Sequence, residues 1–279
     1  MIISITAAII FGLALAHYKW ALGRTTLETK TFLAVHFLAL FGFACLGVIK
    51  WGHFTSPLFG QARYLWLLAI VVVLGIVNNY FLARGFKRES LHEYELIDLL
   101  MPIFTVSMAA LAFVDEREPV RLTLALIGAS AFLLTHIRHH QINFKQADRW
   151  LVYAVFLMAM ERIFVKPLLV IIDPFSLYAV RTGLIAAVFL LLFRPRLARV
   201  PVVEWLNLSL NALLGVAAMV LTYTSISLYG VVITELYLLI TPIVLATISW
   251  FFFRDRWTLT QAGSFVLILA CIFLMNRLL

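Results

Sequence analysis

Charge is scarce in this sequence. Asp, Glu, Lys and Arg make up 13% of its 279 residues, and apolar residues 63%. Ordinary soluble domains hold about 25% charged and about 45–50% apolar residues, so one soluble core could not hide this much apolar surface. Cysteine is nearly absent as well: Cys45 and Cys271 both sit in apolar runs, which excludes a disulfide framework. A Gly-rich phosphate loop of the Walker type is missing, which argues against direct ATP use. There is no Asp-rich run of the kind metal-dependent prenyl transfer requires, and nothing resembles a nucleic-acid module. The opening Met1-Ile2-Ile3-Ser4 lacks the positive charge with which a signal peptide begins. Cleavage after Ala14-Leu15-Ala16 is therefore not expected.

What is present is continuous apolar sequence. In a bilayer only helices and closed barrels satisfy every backbone group. Barrel strands alternate apolar and polar residues over about ten positions, whereas Leu67–Val77 and Leu184–Phe193 are unbroken. Runs of about 20 residues, long enough to cross, fall at 2–19, 31–50, 63–83, 95–114 and 121–137, then at 150–171, 174–193, 205–228, 231–253 and 258–276. The expectation is an all-α membrane protein with ten transmembrane helices. Trp20, Trp51, Trp150, Trp205, Trp250 and Trp257 lie near the ends of these runs, as an interfacial aromatic belt requires.

The chain also repeats itself. At an offset of 140 positions, Glu95-Leu96 meets Glu235-Leu236, Leu74-Gly75 meets Leu214-Gly215, Pro102-Ile103 meets Pro242-Ile243, and Asp115 meets Asp255. Apolar sequence supplies chance leucine matches, but not Glu, Pro and Asp in one register. Earlier helices match at slightly longer offsets: Gly12…Lys19 with Ala159…Lys166, and Glu28…His36 with Asp173…Arg181. Five helices per copy is an odd number, so the second copy enters the membrane from the opposite side. Two inverted repeats are expected, 1–138 and 150–279, joined by 139–149. Their exchange about a midplane site permits alternating access.

Two stretches, Thr241-Pro242-Ile243 to Phe253-Arg254-Asp255 and then Leu259-Thr260-Gln261-Ala262-Gly263 to Met275, with the small-residue-to-Lys spacing of the first helices, resemble the drug/metabolite transporter (DMT) superfamily in its ten-helix EamA-type branch. The family usually has Glu where Asp255 stands and a Gln-x-x-Gly, which here is one residue shorter. The resemblance covers essentially the whole chain. It implies transport and leaves the cargo open, since family members carry amino acids, sugar phosphates, nucleotide sugars or cationic drugs.

Charge inside a bilayer is costly, by about 2.5 kcal/mol or more at a helix centre, so polar groups within the spans are the candidate site. Arg162 and Lys166 are four apart and share a helix face. They need an anion, either on a cargo or from a fixed acid such as Glu235; a structural pair or snorkelling is the bland alternative. Lys19 and Arg181 are the other intramembrane cations. Asn78, Asn79 and Tyr223 lie in the repeat-related third and eighth helices, where amides serve as cavity groups or as helix–helix glue. Glu161, Glu95, Asp98, His17 and His36 are candidates for ion pairing or proton coupling. Pro102 and Pro242 break repeat-related helices and free carbonyls, a pointer to a transporter site. Arg162 is expected to face a cavity bordered by the third, fourth, eighth and ninth helices. His136, His139 and His140 share a face but run into Lys145, Asp148 and Arg149; they read as a solvated loop, and neither a metal nor a cofactor is expected.

Together these features describe a secondary transporter in the cell membrane that moves a small polar metabolite, such as an amino acid or organic anion, coupled to a proton or ion or working by exchange. Its partners would be that cargo and the bilayer, without nucleic acid; the sequence leaves the oligomeric state open. The alternatives are a flippase for a lipid-linked sugar or polyprenyl phosphate, an intramembrane enzyme, and a non-transporting scaffold. The connections after odd-numbered spans carry thirteen Lys and Arg, those after even-numbered spans with the termini five. Short cytoplasmic loops hold the Lys/Arg excess, which puts both termini outside; the resembling family usually keeps them inside. A reporter that fluoresces only in the cytoplasm, fused after Leu279, is expected to stay dark. Bright cells would overturn the charge argument.

Overall fold

The computed structural model describes residues 2–52, 60–87, 94, 97–98, 100–137, 146–253 and 259–278, without the side chains of 131–137, 146–148, 252–253, 259–261 and 278. Among these residues the chain is all-helical. The main helices are α1 (Ile2–Arg24), α2 (Thr29–Trp51), α3 (Ala62–Phe86), α4 (Leu100–Ala112) and α5 (Pro119–Ile137), followed by α6 (Gln146–Leu168), α7 (Pro174–Phe193) and α8 (Val202–Tyr229), then α9 (Val231–Leu238), α10 (Ile240–Ile248) and α11 (Leu259–Leu278). Short 3₁₀ turns follow α4 (Val114–Glu116) and α7 (Leu197–Arg199), and a π turn (Ser249–Phe253) follows α10.

The helix ends follow local chemistry. Asp173 caps α7 by accepting from the Ser176 amide at 3.0 Å, and Pro174 occupies the first helical position, where its missing N–H costs nothing. Between α8 and α9 there is one residue, Gly230, at φ +84°. Such a backbone suits glycine, which has no Cβ to clash.

Where one ninth span over 231–253 was expected, the chain breaks at Leu239 into α9 and α10. Pro242 explains the place: without an N–H it leaves the Leu238 carbonyl no helical partner. Six stretches are long and apolar enough to cross a membrane among the described residues: α1, α2, α3, α7, α8 and Val231–Phe251. The helix α6 is not one of these. It carries Arg149, Glu161, Arg162 and Lys166, too much charge for an apolar span taken alone.

Packing explains how those charges are housed. The closest pairs are α3 with α6, α2 with α7, α1 with α8, and α5 with α11. Every residue of α9 is buried, because it lies against α1, α4, α5 and α8. Small residues let backbones approach, as in membrane helix pairs generally. A Cβ on Gly47 would sit 2.5 Å from the Phe175 ring, and one on Gly183 2.7 Å from the Phe41 ring; both contacts join α2 to α7. Hydroxyls and amides tie α1 to α8: the Ser4 and Ser225 hydroxyls lie 2.6 Å apart, and Asn211 donates to the Ala14 carbonyl at 2.8 Å. Gly183→Val, pushing into the Phe41 ring, is expected to destabilise the bundle by about 1–3 kcal/mol. Thermal unfolding in detergent checks this, and an unchanged midpoint would mean that α2 and α7 separate freely.

Candidate functional site

A cavity of about 100 Å³ lies at the centre of the bundle. Its wall comes from α1 (Tyr18), α2 (His36), α3 (Asn78, Asn79), α6 (Glu161, Arg162), α7 (Tyr178, Arg181) and α8 (Asn211, Tyr223). Three of these helices precede the 138–145 stretch and three follow it. The expected fourth and ninth helices do not line it. They meet Arg162 at a second, smaller space of about 10 Å³, bordered by Asp98, Pro102, Glu235 and Pro242. The two repeat-related prolines thus stand at one spot, and Arg162 borders both spaces.

Charges at the cavity are matched in pairs. On α7, Arg181 donates from Nη2 to Glu161 Oε2 at 2.9 Å, and its Nε lies 2.5 Å from Glu161 Oε1. Tyr223 donates to the same carboxylate at 3.5 Å. Arg181 also lies 5.8 Å from the Tyr178 ring centroid, and a Cβ on Gly75 would sit 2.9 Å from its Nη2, so a side chain there on α3 would have to displace the guanidinium. Arg162 donates to Glu235 Oε1. Near this second pair, Tyr94 donates to Asp98 at 2.9 Å. All four members of the two pairs are at most 4% exposed. Removing one partner of such a pair leaves an uncompensated buried charge, at a cost of about 3–5 kcal/mol.

Several buried polar atoms have no hydrogen-bond partner among the described residues: Tyr18 Oη, His36 Nδ1, Asn78 Oδ1 and Arg162 Nε. Native structures rarely leave such atoms unsatisfied, yet these four, with Arg181 Nε, belong to residues of one cavity wall. Asn79 differs, since it donates to the Gly75 carbonyl of its own helix at 2.8 Å. The His36 ring packs between Tyr18, Phe32 and Phe37.

The structure therefore brings together Arg162, Arg181, Asn78, Asn79, Tyr223, Glu161 and His36, with Glu235 and Asp98 behind Arg162. It does not bring Lys166, Lys19 or His17 to either space. Lys166 turns away from Arg162 and pairs with Asp115 and with Glu116 at 2.6 Å. Lys19 donates to the Phe86 carbonyl at the end of α3, and His17 packs 5.4 Å from Trp20. Glu95 lies outside the described residues, as do the side chains of His136, His139 and His140. No cluster of potential metal ligands occurs among the described residues. Sequence reading passed over Tyr18 and Tyr178. Tyr178 stands three residues before Arg181 and so shares its helix face.

Glu116 belongs to the acidic turn Asp115-Glu116-Arg117-Glu118. Its two oxygens accept from the Val231 and Val232 amides, at 2.7 and 3.1 Å, and one of them also meets Lys166. An acid at a helix N-terminus satisfies orphan amides and faces the positive end of the dipole. This joins the α4–α5 turn to α6 and α9. Outside the spans, Lys166 holds the Asp115 carboxyl below its ordinary value, chiefly through its hydrogen bond. That contribution is present at neutral pH and fades as pH falls through the depressed value; Asp115 is largely exposed, so it is small.

Residues 145–277 match the model of the EamA-like transporter family. Over that stretch, just under half of its length, the chain is similar to this family of the drug/metabolite transporter superfamily. A crystal structure described only as that of a protein matches with a TM-score of 0.71 at 14% identity, over 97% of this chain and 94% of that one. At that identity it speaks for the fold alone. No curated protein matches. The EamA match, with the apolar helices, makes the chain a multi-pass membrane protein of the transporter class, and the matched half contains Glu161, Arg162, Arg181 and Glu235. Glu116→Ala, which strips the cap from α9 and one of the two acidic partners from Lys166, is expected to cost this protein about 1–2 kcal/mol. Thermal unfolding measures it, and no loss would mean that the turn carries no weight.

Proposed function

We propose that this protein is a secondary transporter of a small polar metabolite, an amino acid or similar zwitterion or organic anion, working by alternating access in the cell membrane. The observation that carries this reading is the central cavity: six helices line it, and five polar atoms of its lining residues make no hydrogen bond among the described residues. Transporter sites lie between repeats near the midplane, beside broken helices. The break at Leu239 and the paired prolines fit that description.

The pairing of helices supports two inverted five-helix repeats, 1–138 and 150–279. Exchange α1 with α6, α2 with α7, α3 with α8, α4 with α9–α10, and α5 with α11. The contact of α1 with α8 then becomes that of α6 with α3. The contact of α4 with α6 becomes that of α9–α10 with α1, and α2–α8 becomes α7–α3, while α2–α7 and α5–α11 map onto themselves. Gly75 faces Arg181 on α7, and its repeat mate Gly215 faces Leu40 on α2. Ten spans, with both termini outside by charge bias, complete this reading.

The cavity's contents bear on the cargo. Both arginines are balanced by acids, so a cargo carrying both charges, or an anion arriving with a proton, enters without leaving net charge in an apolar bundle. A volume of about 100 Å³ lies well below the roughly 300–1,000 Å³ of drug-sized pockets and weighs against a lipid-linked sugar. EamA-family members are transporters, which weighs against an enzyme.

Reconstituted vesicles tested with labelled neutral amino acids and small organic acids are expected to take up at least one above protein-free vesicles. Asn78→Leu, removing an unpartnered amide from the wall, is expected to lower that uptake about tenfold or more while the protein remains folded; a tenfold loss corresponds to about 1.4 kcal/mol. Uptake of none of the panel would sink the cargo class, and an unaffected Asn78→Leu would remove that residue from the site.

A further inference from the structure

The two buried ion pairs are not equivalent. Arg181 is held from several sides: a hydrogen bond from Nη2 to Glu161 Oε2, the Tyr178 ring, and Gly75 beside the guanidinium; its Nε makes no hydrogen bond among the described residues but lies 2.5 Å from Glu161 Oε1, so both oxygens of that carboxylate are engaged. Arg162 has one contact, to Glu235 Oε1. Its Nε and the second carboxylate oxygen, Glu235 Oε2, have no hydrogen-bond partner among the described residues, although both residues are at most 3% exposed. A guanidinium and a carboxylate can form two parallel bonds; this pair forms one. Arg162 and Phe11 border both the central cavity and the small space in front of Glu235, and of the two Arg162 is the charged one.

We propose that Arg162 is the receptor for a carboxylate on the cargo, and that the cargo takes it from Glu235, which accepts a proton in exchange. This deepens the transporter reading and rests on it. The cargo carboxylate approaches through the central cavity and bonds the guanidinium. Glu235 is left buried without its counter-charge, and one solvent proton adds to a carboxylate oxygen, forming neutral Glu235. The cargo anion and the proton therefore enter together, and the net charge of the site is unchanged.

The surroundings of Glu235 suit this exchange. The α6 helix presents Arg162. The segment before α4 presents Asp98, which Tyr94 holds by a hydrogen bond. From α4 and α1 come Met101, Pro102 and Phe11, and from α10 Thr241, which donates to the Ala8 carbonyl. On α8, Ser225 faces Thr234, and Tyr223 faces Glu161 instead. On α11, Asn276 accepts from Tyr237 of α9, and α5 meets α9–α10 through Gly128. Among these groups Arg162 is the cation at Glu235. The helical break at Leu239, four residues on, lets α9 shift when that bond is released.

The test uses the full chain in detergent, with acetate as the probe. Calorimetric titration in two buffers of different ionisation enthalpy counts the protons that accompany binding. Wild type is expected to take up about one proton per acetate bound, as linkage between the two sites requires. Glu235→Gln leaves Arg162 unclaimed; it is expected to bind acetate about tenfold more tightly and without proton uptake, and Arg162→Gln to bind none. Acetate that binds wild type without a proton overturns the proposal, and so does wild type that neither binds acetate nor takes up a proton. Folded Glu235→Gln with no gain in affinity also overturns it. Uptake of any labelled cargo by wild-type vesicles keeps the transporter reading standing in each of these cases, so the two failures are distinguishable.

Discussion

A charge in the middle of an apolar bundle has to find its opposite nearby, and α6 carries an acid and a base side by side. Successive helical residues point about 100° apart, so Glu161 and Arg162 cannot serve the same neighbour. Glu161 reaches across to Arg181 on α7, and Arg162 to Glu235 on α9. One pair of adjacent residues thereby fixes α6 between two helices of its own half. The same turn presents both residues to the central cavity. The most charged of the expected spans is the one around which the polar interior is organised.

That arrangement also explains why the rest of the bundle is built from close approaches. Glycines at 47, 75 and 183 bring side chains of the opposite helix against backbone. In an apolar medium such contacts, together with a few hydroxyl and amide bonds, replace the hydrophobic drive of a water-soluble core. The polar links cluster where α1, α8 and α9 meet: Ser4 to Ser225, and Ser225 to Thr234. They leave the amide of Asn78 and the ring of His36 free to border the cavity.

The helical class was legible because unbroken apolar runs admit few other structures. Arg162, Arg181 and Glu161 were legible because charge in such runs must have a reason. The repeat register pointed to Pro102 and Pro242, which stand together at the small space. Lys166 was harder to place. Spacing put it on the face of Arg162, but four residues along a helix is about 6 Å of rise, enough to reach the acidic turn at Asp115 and Glu116. Sequence spacing gives the face and leaves the partner open. The partners of Lys166 came from 50 and 51 positions away, and the walls from α1 and α2 from further still. The break at Leu239 lay upstream of its cause, because a proline disturbs the carbonyl four residues before it.

Gly230 has a mechanical consequence. It is the whole connection between Tyr229 and Val231, and its positive φ is met by Glu116, whose Oε1 leaves no room for a Cβ. Two helices joined through a single residue have no slack between them. A tilt of α8 has to appear at the tip of α9, and that tip is gripped by the turn after α4. The junction works as a hinge pin: it transmits rotation and allows almost no sliding. The far end of α9, at Leu239, is where the chain gives way. Displacement entering at Gly230 is therefore delivered, undiminished by any loop, to the turn of helix that carries Glu235.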